Sequence, residues 1–93
     1  MSLEFEWDEA KRLTNLEKHG VDLLAAAGMF EGRVLIQRDQ RRDYGEDRFR
    51  AVGDVMGMVC VLVFTRRGNR IRLISAWRAG RDVKARYQAR HAG

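Results

Sequence analysis

His19 stands between Lys18 and Gly20, and Glu46 precedes Arg48 by two residues in a stretch that also holds Tyr44. With Tyr87, these are the side chains best suited to exchange a proton with a reacting group near neutral pH. Cations surround them in the sequence: Lys18, Arg48, Arg70, Arg72 and Arg78. A base, an acid and fixed cations are what metal-free RNA cleavage requires, when a 2′-hydroxyl attacks the adjacent phosphate and the phosphorane gathers negative charge. The catalytic expectation therefore covers Lys18, His19, Glu46, Arg48, Arg72 and Arg78. The RNA-binding expectation covers Arg48, Arg50, Arg70, Arg72, Arg78 and Arg81. Each proton carrier also has a plain structural reading. His19 beside a capping glycine suits the carboxyl end of a helix, Glu46 and Arg48 suit a cross-strand ion pair, and Tyr87, four residues after Val83, suits helix packing.

The charge pattern points to a polyanion. The chain holds 15 Arg and three Lys, and from Arg66 onward nine bases face a single acid, Asp82. Arginine grips phosphate bidentately and stacks on bases, so this preference carries more than net charge. Residues 1–32 hold seven acids and three bases, net −4, while residues 33–93 hold six acids and 15 bases, net +9. Two oppositely charged halves suggest two surfaces with different partners.

Other chemistries fit poorly. His19 and His91 are far apart, the carboxylates lack ligand spacing, and the one cysteine, Cys60, sits within an apolar run as a core thiol, so neither a metal nor a disulfide is expected. No glycine-rich phosphate loop follows a strand, and no cofactor is expected. The longest apolar run, Val55 to Phe64, is too short to span a bilayer, and with no leader a cytoplasmic location is the default expectation.

The elements that must position these groups are well signalled. With 93 residues and 45% hydrophobic content, one domain with one modest core is expected. Glu4 to Trp7 alternates as a short edge strand. Asp8 caps a helix whose apolar stripe is Ala10, Leu13 and Leu16, ending at Lys18-His19-Gly20 with Gly20 as a left-handed cap. Asp22 caps a second helix, Leu23 to Phe30. The period then becomes that of strands: Val34–Gln37, Arg48–Asp54, Met58–Thr65 and Arg70–Ala76, with a charged turn over Asp39–Gly45 and a tight one at Arg67-Gly68-Asn69. Arg70 and Arg72 should share a face with Ile74 and Ala76, opposite Ile71, Leu73 and Ser75. A final helix spans Gly80 to Arg90. The fold class is α+β, with a four-stranded antiparallel sheet.

Several of these stretches also resemble a known family. Phe5-Glu6-Trp7-Asp8-Glu9-Ala10-Lys11, Asn15-Leu16-Glu17-Lys18-His19-Gly20-Val21, the run from Arg41 through Tyr44, Glu46 and Arg48 to Gly53, Phe64-Thr65-Arg66-Arg67-Gly68, and Arg70 to Ala76 are similar, in this order, to BrnT toxins of type II toxin–antitoxin systems. The resemblance covers nearly the whole chain. It implies a single RelE-like ribonuclease domain over residues 1–93, RNA cleavage that inhibits translation, and neutralisation by a BrnA-type antitoxin that is a DNA-binding dimer. A homodimer, or a heterotetramer with the antitoxin, is the implied assembly. Two positions depart from the family pattern. Trp77 replaces the usual Arg after Ser75-Ala76, and Val83 replaces a Glu. Apolar groups there suggest either attenuated cleavage or a divergent member of the family. The rival reading is a non-catalytic RNA- or DNA-binding module with Trp77 and Tyr44 as stacking platforms, and a third is an interaction protein whose basic surface meets an acidic partner.

Overall fold

A computed structural model describes residues 3–40 and 45–91. Strand β1 (Glu4–Glu6) leads to helix α1 (Glu9–His19) and helix α2 (Leu23–Ala27). A 3-10 turn (Gly28–Glu31) follows, then strands β2 (Val34–Arg38), β3 (Phe49–Val55), β4 (Met58–Arg67) and β5 (Arg70–Arg78), and helix α3 (Arg81–His91) closes the chain. Tyr44 and most of the charged turn expected over Asp39–Gly45 lie outside the described residues.

The helix ends obey local chemistry. Asp8 accepts hydrogen bonds from the Ala10 and Lys11 amides, and Gly20 closes α1 in the left-handed region at φ 70°, its amide donating to Leu16 O. Asp22 accepts from the Leu24 amide at the start of α2. Arg12 Nε reaches the same carboxylate at 2.8 Å and ties the two helices together. That hydrogen bond holds the Asp22 carboxyl below its ordinary range. The expected second helix is shorter than its apolar spacing suggests, because the chain tightens to 3-10 geometry from Gly28 onward.

The sheet has five strands in the order β1-β5-β4-β3-β2. This corrects the expectation of a four-stranded antiparallel sheet: β2 to β5 form that meander, but β1 joins it alongside β5 in parallel, with Glu4, Phe5 and Glu6 opposite Arg70, Ile71 and Arg72. Opposite charges fix the register, since Arg70 meets Glu4 at 3.4 Å and Glu6 at 3.8 Å, and Arg72 meets Glu6 at 3.7 Å.

Helices α1 and α2 cover one sheet face. Under them lie Leu23, Ala26 and Met29 with Ala51, Cys60, Leu62, Phe64, Leu73 and Ala76, all essentially buried. Burial pushes the Cys60 thiol up. Gly53 has no room for a side chain, because a Cβ there would lie 2.8 Å from that of Met29. The register shifts between Val63 and Phe64, which pair with Ser75 and Leu73 and leave Ile74 of β5 as an extra residue, and this bulge alters the expected alternation. Ala76 pairs with Leu62 in the core beside Ile71 and Leu73, and Ser75 and Trp77 pair with Val63 and Val61. Arg70 and Arg72 therefore share their face with Ser75 and Trp77 rather than with Ala76.

Helix α1 is the other departure. Leu13 and Leu16 are 55% and 42% exposed, whereas Asn15 is buried. β1 pairs only the first three residues of β5, so the edge beyond Arg72 needs another hydrogen-bonding partner. Asn15 Oδ1 accepts from the Ala76 amide at 3.1 Å, and its Nδ2 donates to Ala76 O at 2.9 Å and to Val21 O at 2.8 Å. One side-chain amide thus takes the place of a strand's peptide group.

Candidate nucleic-acid interface

The Asn15 clamp decides what sits at the end of β5. It fixes the last turns of α1 against Ala76, and the next residues on both elements meet. Lys18, His19, Trp77 and Arg78 line one shallow depression, with the His19 and Trp77 rings 6.2 Å apart and tilted by 47°. Three of the expected catalytic residues, separated by sixty positions in sequence, form one corner. All three are exposed, and the depression has no acidic lining. Asn15 is the positioning residue that sequence reasoning missed. The apolar stripe of Ala10, Leu13 and Leu16 gave no signal of its burial, because those leucines are exposed and Asn15 is not.

The other expected residues lie elsewhere: Arg70 and Arg72 are on the sheet face opposite that of Arg78, whose cross-strand partner Cys60 belongs to the core under α1 and α2. Glu46 bridges Arg48 at 3.6 Å and Arg67 at 3.7 Å. Thr65 Oγ1 donates to Asp47 O at 2.5 Å and Asp47 pairs with Arg38, which holds this segment over β4. Arg72 pairs with Glu6, as above. At about 3.4 Å per residue, the five steps from Arg72 to Trp77 put Arg72 roughly 17 Å along β5 from the Trp77 end. The structure therefore splits the expected catalytic set: Lys18, His19 and Arg78 gather, while Glu46, Arg48 and Arg72 stand apart with Arg70. The acids of β1 and Glu46 offset most of the positive charge at that end.

Between these regions the sheet face continues under α3. The Tyr87 hydroxyl donates to Arg33 O at 2.8 Å and anchors the helix over β2 and β3. The helix-packing reading of Tyr87 fits this buried position, far from the His19 corner along the chain and on another element. A cleft of ≈ 480 Å³ remains between α3 and the sheet. Leu35, Val52, Val61 and Trp77 form its apolar part, Arg50, Arg86 and Arg90 its charged part, and Val83 lines it from α3. Trp77 and Val83, the two departures from the family pattern, are thus neighbours on one cavity. Arg81 lies at the exposed start of α3, beside a separate depression lined by Gly80, Asp82 and Val83. Among the described residues, no three His, Cys, Asp or Glu side chains gather in an arrangement that could hold a metal, and no helix is long and apolar enough to cross a membrane.

Arginines on the sheet face that α3 partly covers, a Lys-His pair at the end of α1 and an aromatic ring beside both are side chains of the kinds that engage nucleic-acid backbones. Residues 7–82 match the ribonuclease toxin BrnT of type II toxin–antitoxin systems, and the chain belongs to that family. It is thus a ribonuclease toxin of a type II system, a class that implies an antitoxin partner. No curated protein matches the chain significantly.

Proposed function

We propose that this RelE-like domain cleaves single-stranded RNA at the corner formed by Lys18, His19 and Arg78, without a metal, and so arrests translation. The observation that supports this most strongly is the meeting of Lys18 and His19 with Arg78 around Trp77. In the proposed step the 2′-hydroxyl oxygen attacks the adjacent phosphorus and gives its proton to His19. The bond from phosphorus to the 5′-oxygen breaks, and that oxygen takes a proton from the Lys18 ammonium or from solvent. The products are a 2′,3′-cyclic phosphate and a 5′-hydroxyl. Lys18 and Arg78 supply positive charge to the phosphorane, where its stabilisation counts most.

Trp77 and Val83 bear on rate. An indole and a valine can neither offset phosphorane charge nor carry a proton, so the chain cleaves more slowly than one with Arg and Glu at these positions, by on the order of 10²-fold for one lost group. Trp77→Arg with Val83→Glu should raise the single-turnover rate of cleavage in EDTA and cause growth arrest on induction. An unchanged rate in the double variant would remove both positions from the chemistry.

The antitoxin is proposed to be a BrnA-type DNA-binding dimer whose acidic segment covers the basic sheet face, because an inhibitor gains most by blocking the surface that engages substrate. The proposed assembly is a toxin homodimer or a heterotetramer with the antitoxin, in the cytoplasm. Co-purification with the product of the neighbouring gene, followed by a cleavage assay, tests this placement. A stable complex that still cleaves RNA would contradict it.

A further inference from the structure

We infer that the cleft under α3 is a nucleotide subsite that takes one unpaired base of a single-stranded RNA against Trp77, with the flanking phosphates held by Arg50, Arg86 and Arg90. The inference rests on the RNA-cleaving function proposed above and adds where the substrate is gripped. Four observations carry it. The cleft, at ≈ 480 Å³, falls in the size range of small-molecule pockets. Its floor is apolar and aromatic, from Val52, Val61 and Trp77, as a base's faces require, and its charged lining is three arginines with no acid. Arg50 Nε is buried and meets no hydrogen-bond partner among the described residues. A buried guanidinium donor without an acceptor is costly, and a phosphate oxygen would satisfy it.

The placement also explains a division of labour on the sheet face. Arg70 and Arg72 stand against Glu4 and Glu6, and Arg48 and Arg67 against Glu46, so that end offers a phosphate little unbalanced charge. The cleft offers more. Trp77 belongs both to it and to the His19 corner, so a base seated in the cleft delivers the neighbouring phosphodiester toward Lys18 and His19. Duplex RNA, whose bases are stacked and paired, cannot enter.

Trp77 fluorescence tests this directly in a Trp7→Phe chain, where it is the only indole. The titrant is a short labelled single-stranded RNA, with a duplex of the same sequence for comparison and labelled-strand anisotropy as the independent measure of binding. Single-stranded RNA should shift Trp77 emission in step with anisotropy, and duplex should not. In the same background, Ala89→Trp, an exposed α3 position on the cleft, should weaken single-strand binding roughly ten-fold by plugging the site, as should Trp77→Ala in the native chain, in keeping with the usual worth of base stacking. If single-stranded RNA binds while Trp77 emission stays still and Ala89→Trp binds equally well, the subsite assignment fails although the chain still engages RNA. No binding of any RNA would instead overturn the function on which the inference rests. An emission change caused by the antitoxin but not by RNA would overturn it in favour of a protein occupant.

Discussion

Asn15 does more for the site than any residue that touches it. Its carboxamide completes the β5 edge at Ala76 and the loop at Val21, and so holds Lys18 and His19 beside Trp77 and Arg78. Removing it leaves a buried amide and carbonyl without partners, each costing about 1–3 kcal/mol. Asn15→Ala should therefore lose about 2–3 kcal/mol of unfolding free energy in urea, and the corner should loosen. A loss below 0.5 kcal/mol, roughly the effect of an ordinary surface substitution, would mean that water replaces the clamp. At this scale the candidate residues were legible in the sequence, since Lys18, His19 and Arg78 were named among its cations and proton carriers. Their assembly was not legible. It depends on a bulge and a side-chain amide, and neither leaves a period in the sequence.

The elements themselves were easier to read. Asp8, Gly20 and Asp22 cap where their chemistry requires, and the four later strands fall close to their expected bounds, although the bulge reverses the faces at the end of β5. What misled was the stripe of Ala10, Leu13 and Leu16, because the face of α1 that packs was chosen by the hydrogen-bond need of a strand edge rather than by apolar spacing. The parallel docking of β1 was hidden for another reason: it rests on Glu4 and Glu6 meeting Arg70 and Arg72 across sixty-six positions. Two predictions belong to this scale. Asp22 titrates below its ordinary range because Arg12 hydrogen-bonds to its charged form. A depressed carboxyl contributes stability that is present above its unfolded-state pKa and lost as pH falls through the folded-state value. Thermal unfolding of the chain and of Asp22→Asn should therefore differ near neutral pH and converge in strong acid. A gap that persists at the acid end would contradict the linkage. The turn between β3 and β4 has positive φ at both central residues, 52° at Met56 and 88° at Gly57. Met56 is 90% exposed and loses little by replacement, while asparagine suits the left-handed region. Met56→Asn should raise stability by about 0.5–1 kcal/mol in the same urea measurement. Destabilisation would place Met56 in a contact that its exposure does not suggest.

Seen as a whole molecule, the chain keeps two surfaces. Helices α1 and α2 cover one sheet face, and the opposite face carries arginine, balanced by Glu4 and Glu6 at the β1 end and lined by three arginines and no acid in the cleft beside Trp77. The charge segregation seen in the sequence is thus translated into a direction along the sheet. The central claim is that RNA chemistry occurs at the Trp77 end, and one assay addresses it most directly: cleavage of an end-labelled single-stranded RNA in EDTA by the purified chain, before and after His19→Ala. The account predicts slow cleavage that leaves 2′,3′-cyclic phosphate and 5′-hydroxyl ends, and a further loss of about 10²-fold without the imidazole, as expected for a proton-transfer group. Cleavage that proceeds equally fast without His19, or no cleavage by the unaltered chain at any concentration, would contradict it.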